Sequence, residues 1–171
     1  YKQQVDAVLG GGSGGKGAGG YAPGQVAASE HLTTQASLDQ ANDVGKSEDA
    51  IIAATKQHLG DPNVLVNGVM KPAYGWCDAF VNNMVQQATG INTRFADADT
   101  QVKAAIAQGK TIDQSQARPG DLVGWTGDSP YAGSPKGHIG VYAGGDQYIG
   151  TTANGIQQRT IGPGAVFIRP D

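Results

Sequence analysis

The sequence predicts an α+β domain over residues 47–171, preceded by a flexible stretch over residues 1–46. Three observations carry this. Apolar residues recur at helical spacing between 47 and 108, the period shifts to two from 121 onward, and turn-forming pairs separate the period-two runs. Helices first and then strands joined by tight turns is the order of an α+β fold, with N-terminal helices packed on a small antiparallel sheet.

The elements follow in order. Residues 10–20 read GGGSGGKGAGG, with eight glycines in eleven positions. So little apolar surface cannot offset ordering entropy, so a flexible linker is expected, natural or engineered. Residues 21–46 are rich in Ala, Ser, Thr and Gln, which predicts loop with a weak helix near 34–43. Ser47 is a good N-cap, and Glu48 and Asp49 place negative charge in a first helical turn. Ile51, Ile52, Ala54, Thr55 and Leu59 form its stripe, and Gly60 with Asp61-Pro62 stops it. A loop containing Asn67-Gly68 leads to a second helix over 77–88, whose face carries Phe80, Val81, Met84, Val85 and Ala88. A third fits 97–108, with Val102, Ala105 and Ile106 on one side. Strands are expected at 121–125, 138–143, 147–152, 155–160 and 165–168. Gly144-Gly145-Asp146 and Ala153-Asn154-Gly155 make the turns of an antiparallel meander.

Composition narrows the function. A net charge of -3 gives no reason to expect nucleic acid or an anionic membrane as partner. No apolar run approaches the ~20 residues that span a bilayer. One cysteine excludes an internal disulfide and a Cys-rich zinc site, and three scattered histidines form no recognisable metal motif. No metal or other cofactor is expected.

Cys77 opens the second helix. There the helix dipole favours thiolate over thiol, and free backbone N–H groups can receive a developing oxyanion. A thiol nucleophile needs a base, and imidazole titrates near working pH. His31 lies in the low-complexity segment and His58 near a helix end, where a capping or surface role suffices. His138 opens a strand after a Gly-, Ser- and Pro-rich loop over 127–137, a common place for a catalytic side chain. An unrelated buried Cys and surface His would look the same by chemistry alone.

Three segments shift that balance. HLGDPNVLVNGVMKPAYGWCDAFV, ARPGDLVGW and GHIGVYAGGDQYIG resemble, in order, the nucleophile, Pro-Gly-Asp-Leu and base segments of the NlpC/P60 family of cell-wall peptidases, and more loosely CHAP amidases. The resemblance covers about residues 47–168. It implies a papain-like core in which Cys77 attacks an amide carbonyl and His138 protonates the leaving amine. It also implies peptidoglycan stem peptides as substrate and an extracytoplasmic setting.

The match departs from the family in three places. Asn63 stands where a Tyr commonly follows Pro, so Asn63 or Tyr74 is expected on the oxyanion or substrate side. Trp76 is placed there too, although a core or rim role suits both Trp76 and Trp125. Asp78 follows Cys77, where capping of first-turn N–H groups is its simplest role. Gly150 occupies the place of the orienting third residue, leaving Thr152, Thr151 after a bulge, or Gln157. Thr152 shares a strand face with position 150 and is named as the candidate third member, with a Cys77–His138 dyad as the alternative. The Gly-rich front end suits a module of a phage tail or of a secreted wall-degrading protein. An interbacterial toxin amidase, or a degenerate wall-binding or structural domain, are the alternatives.

Overall fold

The structure is a computed structural model and describes residues 47–92 and 94–170. These lie in the second of the chain's two units, Ser47–Asp171. The linker, the weak helix near 34–43 and His31 fall outside the described residues.

The first helix, α1, runs over 47–57. It buries Ile51, Ile52, Ala54 and Thr55, whose hydroxyl donates to the Ile51 carbonyl at 2.7 Å. The chain then turns through Gly60, whose amide donates to the Ile156 carbonyl at 2.8 Å. Two short strands follow, β1 (Asn63–Val66) and β2 (Val69–Pro72), paired antiparallel. The loop expected here is therefore a hairpin. Asn67 and Gly68 both take positive φ, 50° and 80°, the mirror-image turn whose twist matches two paired strands.

Helix α2 spans Cys77–Thr89 and buries Cys77, Ala79, Phe80, Val81, Met84 and Val85. Gly90 ends it in the left-handed region, φ 78°, and its amide donates to the Gln86 carbonyl. Helix α3 spans Ala98–Ala107, capped by Asp97, whose carboxylate accepts the Thr100 amide at 2.8 Å. It buries Ala98, Gln101, Val102 and Ala105. Ile106, expected on that face, is 50% exposed, because the buried stripe lies one residue earlier.

The main sheet is antiparallel, in the order β3 (Thr111–Ile112), β8 (Val166–Ile168), β4 (Leu122–Trp125), β5 (His138–Gly144), β6 (Gln147–Thr152), β7 (Gly155–Thr160). The meander is β4 to β7, and the last strand returns to lie beside the first of these. One face carries Leu122, Ile139, Val141, Ile149 and Ile168 into the helix-covered core. The other carries Val123, Trp125, Tyr142, Tyr148 and Phe167 into a second, aromatic cluster.

Glu48 does more than bias a helix end. It is fully buried and ion-paired with Arg118 and with Arg169, the latter at 3.0 Å. Arg169 also meets buried Asp121 at 3.1 Å, and Asp121 accepts the Arg118 amide at 2.9 Å. The cluster ties the start of α1 to the end of β8 and the turn before β4.

Candidate active site

Cys77 is 9% exposed at the first turn of α2, with no side-chain cap on the helix. Burial pushes its thiol up to about 11. Backbone hydrogen bonding from Ile139, Asp78 and Cys77 itself pulls the other way, and the neighbouring Asp78 carboxylate adds to the rise. The thiolate favoured by the helix dipole is thus not the resting state, because desolvation outweighs the dipole. Asp78 does not cap the helix; its buried carboxylate pairs with Arg94 at 3.0 Å.

Helix α2, which opens on Cys77, packs against β5, which opens on His138. His138 is pushed down to about 4, first by burial and then by the Arg159 guanidinium. At neutral pH both groups are uncharged.

His138 faces Trp125 across the β4–β5 ladder, their rings stacked at 5.9 Å. Tyr148 meets the imidazole edge-on at 5.8 Å. A Cβ at position 150 would sit 3.6 Å from His138 Nε2, so the place expected for a third polar residue does adjoin the base and holds no side chain. Gln157 lies across from Gly150 on β7, its amide donating to Asn154. Thr152 ends β6 and braces the turn to β7, where its hydroxyl donates to the Gly155 carbonyl at 2.9 Å and accepts the Asn154 amide at 3.0 Å. Thr151 packs on the opposite face, with no bulge between β6 and β7 to move it.

The other expected residues spread out. Tyr74 is 70% exposed in the β2–α2 connection. Trp76 is half-buried against the core, with the Lys71 ammonium 5.8 Å above its ring. Asn63 lines a separate open cavity of about 490 Å³ with His58, Asp61, Met70, Asn83 and Gln87. Neither Cys77 nor His138 lines that cavity. His58 pairs with Asp61 at 2.8 Å. Among the described residues no group of three metal-ligating side chains gathers, and no helix is long and apolar enough to cross a membrane.

The loop before His138 is pinned by Asp99, a residue that periodicity could not single out. Its carboxylate accepts the Gly127 amide at 2.7 Å, and its own amide donates to the Lys136 carbonyl at 2.7 Å. Tyr148 was equally hidden. Its signal was two glycines, Gly140 and Gly150, inside predicted strands, where glycine marks a close approach.

On this α+β scaffold a helix that opens on a cysteine packs against a strand that opens on a histidine, the placement expected of a cysteine-hydrolase-like domain. Comparison with known proteins narrows the class: the NlpC/P60 family model matches residues 68–165, and the chain belongs to that family. It is 32% identical over 124 residues to a probable endopeptidase p60 of Listeria grayi, covering 72% of this chain and 22% of that protein. The chain thus spans about a fifth of that relative's length. The fold is similar to the P60 domain of a Mycobacterium avium paratuberculosis antigen, with TM-score 0.57, 18% identity, and 78% and 99% of the two chains covered. It is also similar to RipD of Mycobacterium tuberculosis, a non-catalytic NlpC/p60 domain protein adapted to peptidoglycan binding, with TM-score 0.51, 17% identity, and 72% and 96% covered.

Proposed function

We propose that residues 47–171 form a cysteine hydrolase domain that cleaves amide bonds in peptidoglycan stem peptides outside the cytoplasm. The observation that supports this best is the packing of α2, which opens on Cys77, against β5, which opens on His138. The neutral imidazole takes the thiol proton as sulfur attacks the carbonyl carbon, and the first-turn amides of α2 receive the oxyanion. The imidazolium then gives that proton to the leaving amine as the C–N bond breaks. Water, deprotonated by His138, attacks the thioester and releases the acid and the free thiol. Tyr74 and Trp76 flank the approach to Cys77, and Asn63 contacts a more distant part of the peptide. Thr152 is assigned to the turn rather than to the base, on the support of its two hydrogen bonds there. A place in a larger wall-degrading protein or phage particle fits the Gly-rich segment at 10–20.

The test is digestion of purified peptidoglycan by wild type and Cys77→Ala, with fragments read by mass spectrometry. New stem-peptide ends from wild type alone support the proposal. No release from either, with sedimentation of the protein on the wall retained, supports a second reading as a wall-binding domain. That reading draws on the thiol held up at about 11.

A further inference from the structure

We propose that His138 is positioned by an aromatic clamp in which the rings of Trp125 and Tyr148 pack on each other and both on the imidazole, Trp125 stacked and Tyr148 edge-on, with the Tyr148 ring beside the place a polar third residue would occupy. This rests on the reading of Cys77 and His138 as nucleophile and base.

Three independent contacts build the clamp. Trp125 and His138 are direct partners across β4 and β5, with rings at 5.9 Å and 28° between planes. Tyr148 stands at 5.8 Å and 74° to the imidazole and at 5.3 Å and 57° to the indole. All three pairs fall within the ~4.5–7 Å range at which aromatic quadrupoles favour offset or edge contacts. The indole is itself fixed, since Nε1 donates to the Pro163 carbonyl at 2.9 Å.

Two strand glycines admit the tyrosine. A Cβ at position 140 would lie 2.6 Å from Tyr148 Cδ2, and one at 150 would lie 3.1 Å from Tyr148 Cε2. At 140 the Ile149 carbonyl, 2.7 Å from that Cβ, excludes a side chain together with the ring, and at 150 the ring would have to give way. Glycine weakens a strand interior, so its use at 150 has a local reason in the ring. Gly150 is thus the counterpart of Tyr148: the orienting hydrogen bond is exchanged for ring packing. The charged or titrating groups acting on this cluster are Arg159, opposite Tyr148 on β7, and Cys77 at the start of α2. Tyr148 is a positioning residue and takes no proton.

The test compares Tyr148→Leu, Tyr148→Phe and Gly150→Asn, each checked for cooperative melting. The readouts are the NMR titration of the His138 ring and the rate of peptidoglycan digestion. Tyr148→Leu should raise the His138 titration by one unit or more toward the ordinary imidazole value and lower kcat by about tenfold with KM little changed. Tyr148→Phe should restore the titration and most of the lost rate. Gly150→Asn should slow digestion, because its side chain displaces the ring. A titration unmoved in Tyr148→Leu, one moved equally in Tyr148→Phe, or faster digestion by Gly150→Asn would each overturn the clamp. The titration needs no substrate, so it decides the clamp even where wild type fails to digest the wall.

Discussion

Two polar groupings lie where helices meet this sheet, and they are handled in opposite ways. Glu48 and Asp121 are fully buried, yet each faces a guanidinium, of Arg118 or Arg169. The Glu48 oxygens are met by opposite charge rather than by aligned hydrogen bonds. Cys77 is also buried and His138 partly so, but no opposite charge among the described residues compensates either, and both lose their charge instead. The difference is a matter of partners, since burial penalises any ion that is not matched. The matched cluster holds the fold together. The unmatched pair keeps the proton on sulfur.

The sharpest way to break the comparison is to make the first grouping resemble the second. Arg169→Met removes the cation common to Glu48 and Asp121 and leaves two buried carboxylates with Arg118 alone. Loss of one partner from a buried ion pair costs about 3–5 kcal/mol. Urea denaturation should show a loss of that size with an unchanged m-value. A loss under about 1 kcal/mol, the range of exposed pairs, would mean that the cluster is solvated in solution.

Much of the fold was legible because local rules govern it. The three helices and the strands β4 to β8 fall where period and turn residues put them, and Cys77 does open α2. The β1–β2 hairpin was hidden although Asn67-Gly68 announced it, because Val64, Leu65 and Val66 are apolar in a row and conceal the alternation. The insertion of β8 between β3 and β4 is a long-range pairing that no local signal encodes. At the candidate site, chain position pointed to Cys77 and His138, and the family resemblance to the empty place at Gly150. The Tyr148 ring, the Asp99 anchor and the burial that keeps the thiol protonated depend on contacts between distant segments.

A second consequence concerns pH. His138 is pushed down to about 4 from 6.5, so between those values the unfolded chain binds more protons than the folded one. Stability therefore falls as pH drops from about 6.5 to about 4, by at most about 3 kcal/mol. Cys77 is pushed up to about 11 from 9.0, so the unfolded chain loses its proton first. Stability falls again as pH rises through that interval, by at most about 3 kcal/mol. Melts across pH should show both limbs, with the alkaline one reduced in Cys77→Ala and the acid one reduced in His138→Gln. An alkaline limb unchanged in Cys77→Ala would mean that the thiol is not desolvated.

The smallest expected effect tests whether the loop before His138 is held by the same logic at the surface. Asp99 accepts the Gly127 amide at 2.7 Å and pairs with Lys103 at 3.1 Å. The Gly127 amide, and after it Lys103, hold this carboxyl below its usual range. A depressed carboxyl stabilises above its unfolded pKa and loses that contribution as pH falls through its folded pKa. Asp99→Ala leaves the Gly127 amide without its acceptor, while the bond from the residue 99 amide to Lys136 survives because it is made by backbone. The loop should therefore loosen at one end only. Amide exchange at Gly127 should speed up by about tenfold, with the Trp125 and Ile139 amides nearly unchanged. Exchange that rises equally at all three would show that Asp99 braces the base strand itself, and the loop and strand would then count as one cooperative unit.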